Sequence, residues 1–419
     1  MLLQFTVENF RSFKEKTVFS LEASTDKDLE DNFTFEGKDK VLRTAAIYGA
    51  NASGKSNFFS ALSAAIIIVR TSAVRQPGEL LPVTPFVFSK ETKSKPSSFE
   101  FVFIAEGTKY VYGFSCDATK IHTEYLYAYY TKKATTVFER DITDDPEYRF
   151  TMPAVKKSLK PIIERNTANK LFLTTAAIWN SSELAVPFRW FQNNIDSFET
   201  RYDYEELIHF IGPMYENDED GSLREFTKKI LHQTDINIDD YDLSSREISA
   251  EQLPPGIPDA IRSMIPAGTV EYTITTSHHV DDEESVRLSL RDESEGTRSL
   301  FMLSPVLKHA FENGKVICAD EFDSHLHPML LMFLVGLFHN PEVNTHNAQL
   351  VMSLHTTELL SLKVMRRDQI YFIEKNPDTF ASELYSLDEF SPRTREDVRK
   401  AYLLGRYGSV PHLGSGDGL

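Results

Sequence analysis

The sequence predicts an α/β fold: a largely parallel sheet covered by helices, with an antiparallel β subdomain and a helical insert. Three observations carry this. A short apolar strand, Ala45–Tyr48, runs into a glycine-containing turn and then an apolar helix from about Lys55 to Arg70. From Gly296 to Ile373 helices and strands alternate, as a parallel sheet requires. From about Pro85 to Thr151 the apolar period becomes two, the mark of an antiparallel meander.

In chain order, Leu2–Val7 and Thr17–Leu21 read as strands around Asn9-Phe10-Arg11-Ser12-Phe13. Ser98–Ile104, Tyr110–Phe114 and Thr123–Tyr127 form the meander, with Glu106-Gly107-Thr108 as a hairpin turn. Residues 155 to 265 read as mainly helical and more polar, with stops such as Pro254-Pro255. Strands return at Val270–Thr276 and Val286–Leu290. A helix (Gly296–Glu312), a strand (Lys315–Ala319), a helix (Leu326–Phe338), a strand (Gln349–Ser353), a helix and a strand (Gln369–Ile373) follow. Three segments result: 1–154 with the glycine turn and the antiparallel subdomain, 155–268 as a helical insert or lid, and 269–419 completing the sheet.

Composition narrows the class. The 419 residues are 41% hydrophobic and 12% aromatic, enough for real cores and too apolar for a disordered chain. No apolar run reaches the length of a membrane span, and the start lacks a basic segment and cleavage site, so a cytoplasmic protein is expected. The two cysteines, Cys116 and Cys318, are far apart, which argues against a disulfide framework or zinc site. A net charge of −17 counts against a generic DNA-coating protein, although a local basic groove stays open. The acidic runs Asn217–Asp220 and Asp281–Glu284 read as solvated loops.

The chemistry concentrates in three places. Gly49-Ala50-Asn51-Ala52-Ser53-Gly54-Lys55-Ser56 fits G-x-x-x-x-G-K-[ST], a P-loop, with strand before and helix after. Glycines let the backbone close around phosphates, successive N–H groups donate to them, and the helix N-terminus favours the anion. Lys55 is expected on the β- and γ-phosphates and Ser56 on Mg²⁺, with Asn57 continuing the binding segment. Lys315–Ala319 is an apolar strand ending in Asp320 and Glu321, the Walker B pattern. There Asp320 would hold Mg²⁺ and Glu321 would act as general base toward water. His355 follows the strand Gln349–Ser353 and is placed to hydrogen-bond a γ-phosphate and the attacking water.

This ordered series resembles the ABC-type ATPases of the SMC, RecF and OLD group. The resemblance implies a P-loop ABC-type head, ATP and Mg²⁺ as ligands, and a homodimer or higher homo-oligomer that sandwiches ATP. Ser294-Glu295-Gly296-Thr297 stands where that group carries its signature, which would bring Ser294 and Gly296 to the partner's ATP. It departs from L-S-G-G-Q but keeps a hydroxyl and a glycine ahead of a helix. Asp323–Pro328 resembles the D-loop, and Asn9–Phe13 resembles the group's N-F-[RK]-S-F start, implying Arg11 near the nucleotide. No Q-loop residue is assigned; Gln76 sits in poor context. A closer resemblance, through Phe5–Phe13, Arg367–Phe372 and Tyr402–Pro411, is to AAA15-type ATPases of abortive-infection and phage-defence operons, such as the RloA type. It implies an ATPase controlling a separate effector protein, such as a TOPRIM or other nuclease. The segment after His355 is expected to be taken up by a sheet edge and a terminal helix, leaving no second catalytic domain there. A RecF-like ATPase acting on DNA, and a nuclease acting alone, are the rival readings.

Overall fold

The strand Thr44–Tyr48 is buried along its whole length and lies inside a six-stranded sheet. A strand covered on both faces needs no alternation, which is why Ala45-Ala46-Ile47 is a plain apolar run. The order across this sheet is Ile195–Glu199, Val316–Asp320, Gln349–Ser353, Thr44–Tyr48, Ile370–Lys375 and Ser382–Ser386. The first five run parallel and the last is antiparallel to its neighbour. The strand ending at Ser353 thus separates the P-loop strand from the one ending at Asp320, and three strand ends lie side by side. The structure, a computed structural model, describes residues 1–141, 147–149, 153–199, 204–248, 269–281, 284–393 and 395–411.

A second, antiparallel sheet has the order Glu147–Arg149, Thr135–Asp141, Ile121–Tyr129, Thr108–Cys116, Ser97–Ala105, Leu2–Glu8, Thr17–Ser20. Buried and half-buried residues alternate along most of Ser97–Ala105, as a one-sided strand requires. The P-loop helix, Lys55–Thr71, carries Phe58 into edge contacts with Phe5, Phe13 and Phe19. Truncating such a ring leaves a cavity costing about 3–5 kcal/mol. At the other end of this helix Arg70 donates to the carbonyls of Phe191 and Ile195 and pairs with Asp196.

The chain forms two compact units, one of Met1–Thr200, Asn313–Asp323 and Leu334–Leu419, the other of Arg201–Glu312 and Ser324–Phe333. The helices expected to open an insert at 155 therefore divide between them. Phe172–Ile178 and Ser182–Asn193 stay with the first unit because their apolar faces find the antiparallel sheet. Trp190 stacks on Phe103 at 4.1 Å and Phe191 meets Phe101 at 5.0 Å. Glu124, fully buried, accepts from Phe172 N and Leu173 N and pairs with Arg140 at 3.3 Å. Burial pushes its carboxyl pKa up, against the opposing pull of Arg140.

The second unit holds the helices Tyr204–Glu216, Ser222–Gln233 and most of Glu295–Asn313, with an antiparallel sheet in the order Asp240–Ile248, Thr269–Asp281, Glu284–Ser289. Asp240–Ile248 is a strand where a helix was expected; its polar residues hide the alternation that pairs it with Thr269–Asp281 over nine positions. Asp218, in the first acidic run, is no bare loop carboxylate: it accepts from Leu223 N and Arg224 N and so anchors the next helix. Asp282 and Glu283 of the second run, and Pro254-Pro255, lie outside the described residues.

Two further expectations are corrected. No α-helix joins Ser353 to Ile370; turns do, capped by Asp323 and studded with Thr356, Thr357 and Ser361, whose hydroxyls compete with helix hydrogen bonds. Lys55–Val74 is long and apolar enough by composition to cross a membrane, with mean hydropathy 1.5. Its apolar side chains, Phe58, Leu62, Ala65, Ile66 and Val69 among them, are instead buried in the core between the two sheets.

Candidate functional site

The P-loop turn is shaped by its own backbone. Ala52 and Gly54 both have positive φ, +63° and +119°, and Ser53 N donates to Ala50 O at 3.1 Å. A Cβ on Gly54 would collide with Ser382 Oγ and lie 2.9 Å from Ser12 Oγ; one on Gly49 would lie 2.5 Å from Ile373 O. Close packing therefore requires both glycines, and at Gly54 the positive φ requires it as well. The turn is held from outside: Ser382 Oγ donates to Ser53 O at 2.6 Å, Ser382 N to Ser12 O at 2.7 Å, and Asn57 Nδ2 to Ser12 Oγ at 2.8 Å. Inside it, Lys55 is buried and its ammonium donates to Gly49 O at 2.7 Å. Burial draws its pKa below the ordinary lysine value, opposed by the carboxylates of Asp320, Glu321 and Asp323. Ser56 is exposed at the first turn of the helix.

The neighbouring strand ends supply the acids. Asp320 and Glu321 are both buried. Ser353 Oγ donates to Asp320 Oδ1 at 2.5 Å and accepts from Glu321 N at 2.7 Å, so one hydroxyl ties the two acids to the strand between them and the P-loop strand. Glu321 has φ +53°, a strained conformation for a side chain of this size, and its carboxylate lies 3.4 Å from His355 Nε2. Asp323 Oδ2 accepts from His355 N at 2.8 Å and Thr356 N at 2.6 Å, fixing the histidine's backbone while its ring stays half exposed.

Lys55, Asp320, Glu321 and His355 are thus brought together in one unit by three adjacent strand ends. Among the described residues, Ser53 Oγ and Asp323 Oδ1 are buried and have no hydrogen-bond partner, as donors and acceptors facing a polar ligand would be. A cradle that admits no Cβ, a buried ammonium and two buried carboxylates fit a nucleoside triphosphate with its Mg²⁺. Ser56 and Asp320 are the residues that would hold the metal, and Ala50 and Asn51 lie on the same turn.

Arg11, at φ +47°, is placed on the second turn of the P-loop helix, where Nη1 donates to Ser60 Oγ at 2.9 Å. Ser294 lies in the second unit and begins the helix Glu295–Asn313: its Oγ accepts from Thr297 N at 3.1 Å, an N-cap. Gly296 is less constrained than the P-loop glycines, since a Cβ there would make only an ordinary contact of 3.6 Å to His325 O. Sequence reasoning passed over Ser353, Ser12 and Ser382. For Ser353 a signal existed, a hydroxyl closing an otherwise apolar strand. For Ser382 there was none, because its role depends on a contact across 329 residues.

No curated protein matches the chain. Among solved structures it is similar to an "SmcHead bound to the C-winged helix domain of ScpA", at 14% identity over 92% of this chain and 97% of that one, TM-score 0.43. It is also similar to the SMC head domain from Thermotoga maritima, at 13% identity over 92% and 98%, TM-score 0.39. A third is the Smc head domain with an extended coiled coil bound to the C-terminal domain of ScpA derived from Pyrococcus furiosus, at 13% identity over 93% and 97%, TM-score 0.40. A family model described as "AAA domain, putative AbiEii toxin, Type IV TA system" matches residues 45–154 and 192–361, which include the P-loop, Asp320, Glu321 and His355. These segments make up more than half of the 419 residues, and the chain belongs to that family.

Proposed function

We propose that the chain binds MgATP at Gly49–Ser56 and hydrolyses it slowly in the cytoplasm. Association of two copies around ATP would control a separate effector protein in abortive-infection defence against phage. The observation that carries the ATPase reading is the hydroxyl of Ser353 holding Asp320 and Glu321 at the strand ends beside the P-loop. Bound Mg²⁺ would neutralise the β- and γ-phosphate oxygens. Lys55 adds a buried cation at the same loop. Asp320, fixed by Ser353, presents a carboxylate whose direction is set before any ligand arrives. Glu321 is held with its carboxylate against His355, so a proton taken from water at Glu321 has the imidazole as its neighbour. The switch reading rests on the family's description and on the capped glycine segment Ser294–Thr297, which would close a second copy's site.

The test compares wild type, Lys55→Ala and Glu321→Gln. Lys55→Ala should weaken ATP binding about a hundredfold, because a charge-assisted contact to phosphate is removed, with little change in melting temperature. Glu321→Gln should bind ATP normally, turn it over at least about a hundredfold more slowly, and elute as a larger species in ATP. Wild-type turnover in both variants would rule out the assignment. Effector control would be read by co-purification with the product of the adjacent gene and by phage infection. Protection that persists with every neighbouring gene deleted would remove the partner.

A further inference from the structure

Two exposed phenylalanines face each other beside the P-loop. Phe88 and Phe380 are 59% and 44% exposed, yet their rings lie 4.8 Å apart at 30°. Lys375 Nζ is 5.9 Å and 5.8 Å from the two ring centres. The two rings pack against each other and still leave about half of each residue open to solvent.

The loops that carry them are tied to the P-loop. Phe380 lies in the hairpin loop between Ile370–Lys375 and Ser382–Ser386, with φ +59°, a conformation costly for an aromatic residue. Two residues later Ser382 clamps Ser53 and Ser12, so the Cα of Phe380 lies within about 7 Å of that of the clamp. Phe88 sits on a loop held by the turn 9–12: Phe86 N donates to Asn9 Oδ1 at 3.0 Å, and Arg11 N donates to Thr84 O at 2.8 Å. The same turn carries Ser12, which receives Asn57 of the P-loop helix. One brace therefore fixes both the phosphate cradle and the aromatic pair.

We propose that Phe88 and Phe380 form the platform on which the purine base of the bound nucleotide stacks, with Lys375 donating to its ring nitrogens. This rests on the nucleotide reading above and adds to it the half of the ligand that the phosphates leave unrecognised. A base has a π-face that stacks on aromatic rings whatever its sequence context, and a cation at the edge adds to the attraction.

The experiment titrates the full chain, in Mg²⁺, with ATP and separately with inorganic triphosphate, for wild type, Phe88→Leu and Phe380→Asn. Asn tolerates the left-handed backbone at 380 and Leu keeps bulk at 88, and the two changes lie on different loops. Expected is a loss of ATP affinity of about tenfold in each variant, with triphosphate affinity unchanged. A fluorescent adenine-analogue triphosphate should be quenched on wild type and less so on each variant. Unchanged ATP affinity overturns the platform. So does an equal loss for both ligands, which would make the loops mere supports of the cradle. A wild-type chain that binds neither ligand overturns the nucleotide reading itself, and the platform with it.

Discussion

Ser353 has a hydroxyl that does two opposite things at once, donating to a carboxylate and accepting from a main-chain N–H. Alanine there leaves a buried N–H without a partner, a cost of about 1–3 kcal/mol. Ser353→Ala should therefore lower the melting temperature by a few degrees. It should also slow ATP turnover more than it weakens ATP binding, since Lys55 and the loop amides are untouched. Calorimetry and single-turnover kinetics read the two effects; an unchanged turnover would leave Ser353 with a structural role only. Lys55 and Glu321 differ from Ser353 in that their chemistry was legible from the sequence. A lysine in G-x-x-x-x-G-K-[ST] and an acid pair closing an apolar strand have few other uses in that order, whereas a serine has many.

At the scale of elements, the P-loop works because a strand, a turn and a helix are braced by two distant segments. Gly54→Ala tests the brace. The added Cβ meets Ser382 Oγ and Ser12 Oγ, and φ +119° is closed to alanine. Nucleotide binding should fall to undetectable levels. Adding Ser382→Gly should restore it only partly, because the contact to Ser382 is relieved while the contact to Ser12 and the backbone strain remain. Full recovery in the double variant would mean that φ at 54 carries no weight. The helix Pro328–His339 offers a second test, through pH. His339 Nε2 lies 2.8 Å from Thr44 Oγ1, and burial, with Arg43 nearby, lowers its pKa to about 4 from the ordinary 6.5. Unfolded chains then bind the proton more readily than folded ones. The stabilisation is complete above about pH 6.5 and is lost as pH falls toward 4, amounting to about 3 kcal/mol. His339→Gln should flatten the fall in melting temperature over that range; a parallel curve would remove His339 as its source.

For the whole molecule, the decisive question is whether one ATP site is shared between copies. Gly296→Trp should leave ATP binding at Lys55 intact, since the two residues sit in different compact units, and should stop hydrolysis if the segment closes a partner's site. The surroundings of Gly296 make this a fair test, because a Cβ there meets only ordinary contacts, the nearest His325 O at 3.6 Å. Mixing Gly296→Trp with Lys55→Ala should restore about one working site per mixed dimer, each chain supplying what the other lacks, and turnover of the mixture reads it. Full turnover by Gly296→Trp alone would sink the composite site.

The sequence by itself determined the chemistry-bearing segments: the P-loop, the acid-ended strand, the histidine after the next strand, and the antiparallel meander. The first three are local, patterns of residue types over fewer than ten positions, and the meander is a succession of such short strands. Only the tertiary structure decided that the strand of Ser353 lies between the other two, that Trp190 and Phe191 keep their helix with the antiparallel sheet, and that Ser382 and Ser12 grip the loop. Those outcomes depend on which apolar faces meet and which hydroxyls fall within 3 Å across hundreds of residues. A side chain's identity limits what it can bond to, and only the packed chain selects the partner.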